Sequence, residues 1–146
     1  MLAEEVDHRV FSPNKGCISA EVWQAPPSNW VKINWDSAAD NGQGLVGVGV
    51  VERDNAGQVL ATMKSRKPLF PDPLLAEALG ALEAVQFGLD IGLSQVIIEG
   101  DSLQVVTALK SDKESWNSTS MFVNEAKQLT KYFAKWDISH VRRNGN

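Results

Sequence analysis

The chain has a single cysteine, Cys17, and two histidines in its 146 residues. An intramolecular disulfide is therefore impossible, and no Cys/His cluster exists to hold zinc. A reducing, intracellular setting is expected, with nucleus and cytoplasm not distinguished. No apolar run approaches the ~20 residues that span a bilayer, so no membrane partner is expected. Glu4, Glu5 and Asp7 stand near the start without an apolar core, which is unlike a secretory signal. Basic residues are also in deficit: 14 Lys and Arg against 18 Asp and Glu, a formal net charge of −4. That argues against a broad basic surface as the main working device, because such surfaces act by neutralising phosphates with Lys and Arg. A site that approaches phosphates through metal ions stays open.

Hydrophobic residues at 43% and charged residues at 22% rule out a wholly disordered chain. The length fits one domain burying roughly two thirds of its unfolded surface, and a monomer is expected. Residues 1–29 show no sustained period and end in Ala25-Pro26-Pro27-Ser28-Asn29. They read as a leader or linker, with the domain occupying residues 30–146.

From Trp30 the pattern sharpens. Val31, Ile33 and Trp35 alternate with Lys32, Asn34 and Asp36, the period of a strand. Leu45 to Glu52 and Gln58 to Ser65 are two further strands, joined through the turn residues Asp54-Asn55-Ala56-Gly57. Asp72 caps a helix, Pro73 takes its first position, and Gly92 ends it after Ile91. A short buried strand follows at Gln95 to Glu99, then helices at Ser102 to Lys110 and Ser118 to about Ala134. A last strand spans Trp136 to Val141. Asn117-Ser118-Thr119 matches a glycosylation sequon but reads as a helix start. The order predicts an α/β fold: a mixed five-stranded sheet, three antiparallel strands then two more, with helices packed on it.

Three acids stand out. Asp36 ends the first strand, and on a central strand its carboxylate is expected to be partly desolvated, a costly state unless it is paired or metal-bound. The plainer reading is a strand-end Asp opening a turn. Glu77 lies at the edge of a stripe of small residues, Ala81, Ala84 and Gly88, that lets the helix approach the sheet, or else it snorkels to water. Glu83 and Asp90 fall on the far side and read as solvated surface. Asp101 opens the helix after the fourth strand; it reads as an N-cap with Gln104 completing a capping box, or as a ligand at a strand's carboxyl end. If the three converge, their repulsion calls for cations. Oxygen ligands without His or Cys favour Mg²⁺ or Mn²⁺, and such a site suits two-ion phosphoryl transfer. Gly42-Gln43-Gly44-Leu45-Val46-Gly47 spells a dinucleotide fingerprint, but it runs into a strand rather than a helix, so the glycines read as turn and packing residues.

Trp30-Val31-Lys32-Ile33-Asn34-Trp35-Asp36-Ser37-Ala38, Leu75-Ala76-Glu77-Ala78 and Ile98-Glu99-Gly100-Asp101-Ser102, with the closing Ile138 to Asn146, resemble the plant reverse-transcriptase-like ribonuclease H domain family. The resemblance covers residues 30–146. It implies a ribonuclease H-like fold and cleavage of the RNA strand of an RNA–DNA hybrid with two Mg²⁺ or Mn²⁺ ions. It implies Asp36, Glu77 and Asp101 as catalytic metal ligands, Asp36 bridging both ions, with Ser37 and Ser102 near the nucleic acid. In the family a Gly usually stands where this chain has Ser37. The family also continues into a final helix bearing a fourth metal-site residue, expected about four positions beyond Asn146, so that helix is expected to be missing. His140 has the wrong spacing for that role and reads as structural. The alternative is a non-catalytic nucleic-acid-binding or interaction domain on the same fold.

Overall fold

Strand alternation and turn chemistry produce the antiparallel meander that the sequence predicts. The structure, a computed structural model, describes residues 5–9, 23–113 and 117–142. Its elements are β1 (Glu5–Arg9), β2 (Val31–Asp40), β3 (Leu45–Arg53), β4 (Val59–Pro68), α1 (Pro73–Ile91), β5 (Gln95–Gly100), α2 (Leu103–Lys110), α3 (Ser118–Thr130) and β6 (Lys135–His140). One mixed sheet runs in the order β1-β4-β3-β2-β5-β6. β2, β3 and β4 pair antiparallel, whereas β5 joins β2 and β6 joins β5 in parallel. The expected five strands are all present. A sixth, β1, pairs with β4 and comes from the stretch read as leader. Cys17 and the closing residues Arg143 to Asn146 lie outside the described residues. Among the described residues no helix is long and apolar enough to cross a membrane.

Local chemistry sets the element ends. The Asp72 carboxylate accepts from the Leu75 backbone N–H, Pro73 sits at the first turn, and Gly92 closes α1 at φ 90°. Asn117 caps α3, the helix start its sequence reading predicts, and does so in a reciprocal capping box with Ser120. Gly44, at φ 64°, turns β2 into β3, so the fingerprint-like glycines form a strand–strand turn and no phosphate loop.

The core sits between the sheet and α1. Ile33, Trp35, Val46, Val48, Val50, Val96 and Ile98 from the strands meet Ala81, Ala84, Val85 and Phe87 of the helix. The stripe of small residues on α1 serves close approach: a Cβ on Gly88 would lie 2.8 Å from Ile33 Cδ1. On its other side α1 packs against α3, so it is buried on nearly all sides.

That enclosure corrects the reading of Glu83 as surface. It is 5% exposed, its carboxylate accepts from the Ser65 hydroxyl, and Lys67 Nζ lies 3.2 Å away. The β4 edge supplies the partners that make burial tolerable. Lys67 is itself 28% exposed, which moderates the ion pair. Glu83→Ala is expected to cost about 2 kcal/mol in denaturant unfolding, through the lost packing and an unpaired Ser65 hydroxyl.

Candidate active site

β2 lies between β3 and β5, and its side chains alternate between two faces. Ile33, Trp35 and Ser37 point to α1, because added Cβ atoms on Gly88 and Gly80 would collide with them. Lys32, Asn34 and Asp36 therefore occupy the face away from α1. Asp36 does not end its strand. The parallel ladder with β5 stops at Asn34 and Glu99, but the antiparallel ladder with β3 continues to Asp40. Asp36 is also exposed, not desolvated, because β5 has ended beside it.

Asp101 lies two residues past Glu99, as Asp36 lies two residues past Asn34. Both acids thus lie just past the carboxyl end of the parallel β2–β5 ladder, Asp36 within β2 and Asp101 directly after β5. The capping role read for Asp101 belongs to Ser102, whose hydroxyl accepts from the Val105 N–H at 3.3 Å. The capping explanation for Asp101 is thereby replaced. Ser102 uses its hydroxyl for that cap, and the Ser37 hydroxyl is buried against α1 without a hydrogen-bond partner among the described residues. Neither serine shows a hydroxyl directed to a nucleic acid.

Glu77 lies on α1, on the other side of β2. It is half-buried, and its Oε1 accepts from Trp35 Nε1 at 3.0 Å. Asp36 and Glu77 thus come from opposite sides of β2. This agrees with a plain negative: among the described residues no three His, Cys, Asp or Glu side chains form a group able to hold a metal ion. The donor set still fits a hard divalent cation in kind, being carboxylate oxygen throughout.

Two neighbours were not legible in the sequence. Glu99, next to the acids on the open face, is 5% exposed and fully engaged. Asn34 Nδ2 donates to it at 2.9 Å and Ser139 Oγ at 3.0 Å, and Lys32 Nζ stands 3.3 Å away. Lys32 also donates to the Gln24 carbonyl and lies 5.3 Å from the Trp23 ring centroid. Part of the segment read as leader thus lies against the domain. His140, read as structural, is exposed at the end of β6, with Nε2 3.3 Å from the Asp101 carbonyl oxygen. It adds a titratable group to the edge that carries Asp101.

Comparisons with known proteins agree with this architecture. A family model described as reverse-transcriptase-like matches residues 34–146. Among solved structures, RNase H1 from the halophilic archaeon Halobacterium salinarum is similar at TM-score 0.67 and 23% identity, covering 78% of this chain and 86% of its own. The N-terminal RNase H domain of a Mycobacterium tuberculosis protein gives TM-score 0.67 and 21% identity, covering 80% and 85%. An RNase H1 isolated from compost, solved in complex with an RNA/DNA hybrid, gives TM-score 0.65 and 18% identity, covering 80% and 88%. No curated protein sequence matches.

Proposed function

The chain belongs to the reverse-transcriptase-like family, and from that premise we propose that it is a metal-dependent endonuclease of the ribonuclease H type. Its substrate would be an RNA–DNA hybrid, of which it hydrolyses the RNA strand. The observation that carries this reading is that Asp36 and Asp101 each lie two residues past the last pair of the parallel β2–β5 ladder, Asn34 and Glu99, at the carboxyl end of that ladder, with Ser102 rather than Asp101 capping α2. Ligand sites in open α/β sheets gather at that edge. The solved neighbour with a bound hybrid lends support to the substrate class.

In this reading Asp36, Glu77 and Asp101 hold two Mg²⁺ or Mn²⁺ ions. When bound, the ions lower the pKa of the attacking water and neutralise charge at the scissile phosphate. The chain's own part is placement. β2 carries Asp36, the turn after β5 carries Asp101, and α1 carries Glu77, whose carboxylate accepts from the Trp35 indole N–H. Glu99, saturated by Asn34, Ser139 and Lys32, is kept from competing as a fourth ligand. With a net charge of −4, the chain is expected to bind hybrid weakly unless divalent ions are present.

A second reading rests on the absence, among the described residues, of a closed three-acid group. It is a domain on the same fold that binds nucleic acid without cutting it. A labelled hybrid incubated with the chain and Mg²⁺ or Mn²⁺ separates the two, with duplex DNA and duplex RNA as controls. The nuclease reading expects products only from the RNA strand of the hybrid and their loss on chelation. Cleavage that survives chelation overturns metal dependence. Hybrid binding without cleavage under both metals decides for the second reading.

A further inference from the structure

We propose that Trp35 is a positioning residue that orients the Glu77 carboxylate for metal binding; this rests on the reading of Glu77 as a metal ligand. Three observations carry it. The Trp35 indole N–H donates to Glu77 Oε1 at 3.0 Å. The indole itself is held on two sides by glycines. A Cβ on Gly80 in α1 would lie 2.6 Å from Trp35 Cδ1, and one on Gly100 in β5 would lie 2.5 Å from Trp35 Cε2. Real Cβ contacts are not made at such distances, so both glycines yield their space to the ring. Trp35 is 4% exposed, so the ring as a whole is enclosed by the packing around it.

The consequence lies in what this side chain joins. Trp35 precedes Asp36 in the chain, hydrogen-bonds Glu77, and packs on Gly100, which precedes Asp101. A rigid indole therefore links the backbone or side chain of all three proposed ligands. A donor behind a ligating carboxylate fixes its orientation and tunes its basicity, and its loss typically costs tenfold to a hundredfold in metal affinity. Glu77 on the helix face and Asp36 on the other face need such a device more than ligands on one element would. A hydrophobic residue of similar bulk would fill the same space without directing Glu77.

The test is Mn²⁺ affinity of the full chain, measured by electron paramagnetic resonance, for the parent, Trp35→Phe, Glu77→Gln and the double variant. Trp35→Phe is expected to weaken binding about tenfold. In the Glu77→Gln background the same exchange should have no further effect, because Trp35 acts through that carboxylate. Trp35→Phe binding Mn²⁺ like the parent overturns the proposal. So does a Trp35→Phe loss that persists undiminished without Glu77, since that marks a packing role. If Glu77→Gln itself leaves the affinity unchanged, the ligand reading of Glu77 fails and the positioning role falls with it. Should Trp35→Phe not fold, the ¹⁵N-labelled parent decides. Its Trp35 indole N–H resonance should shift on Mg²⁺ addition with the midpoint shown by the Asp36 and Asp101 amides, and a resonance that stays still at saturation overturns the proposal.

Discussion

Raising the pH from about 4.5 to about 8 is expected to remove on the order of 4 kcal/mol of stability through Glu52 alone. Glu52 is fully buried on β3, paired laterally with Ile33 and Ala61, and therefore shares the face covered by α1. Among the described residues neither carboxylate oxygen has a hydrogen-bond partner. Burial in that apolar layer pushes its pKa from the ordinary 4.5 to about 8. The folded chain thus holds this proton more tightly than the unfolded chain does. Below about 4.5 the acid is neutral in both states and the stability is intact. Between 4.5 and 8 the unfolded chain releases the proton first, so stability falls as pH rises; above 8 the loss is complete and the curve flattens.

Glu52→Met, unbranched and close in volume, removes the ionisable group and keeps the packing. Its denaturant midpoint should stay level where the parent's falls. The variant should exceed the parent by several kcal/mol at pH 8.5 and by only about 1–2 kcal/mol at pH 5, where the parent buries a neutral but unpaired carboxyl. Parallel curves for the two proteins across this range would show that Glu52 keeps an ordinary pKa and finds a partner.

Glu52 also marks where sequence periodicity stops being informative. Elements with their own end signals were legible: Asp72, Pro73 and Gly92 bounded α1, and Asn117 opened α3. The order of five strands followed from alternation and turn residues, since both are local. Facts that depend on partners were hidden. Glu83 looked like surface because a helix with one buried face was assumed, whereas α1 is enclosed by the sheet and by α3. Asp36 looked like a strand end because the end of the β5 ladder and the end of the β3 ladder differ by six residues on β2. Ser37 looked available to a ligand, but strict alternation turns it towards Gly80. The proposed ligands were singled out from residue type and strand position; how Trp35 engages Glu77 required the three-dimensional packing.

Asp36→Asn should lower hybrid cleavage about a thousandfold, equivalent to about 4 kcal/mol of transition-state stabilisation, and leave the metal-free chain within about 0.5 kcal/mol of the parent's stability. The two halves of this expectation test different links. Asp36 is exposed beyond the end of the β2–β5 ladder, so the exchange removes a charge without opening a cavity or burying a polar group. Surface exchanges of that kind stay within about 0.5 kcal/mol. A residue whose removal costs activity and spares the fold is one retained for chemistry rather than for structure. Cleavage within tenfold of the parent would remove Asp36 from the machinery. A large loss of stability with a proportionate loss of cleavage would instead make it a structural acid, of the kind Glu99 already is on the same face of the sheet.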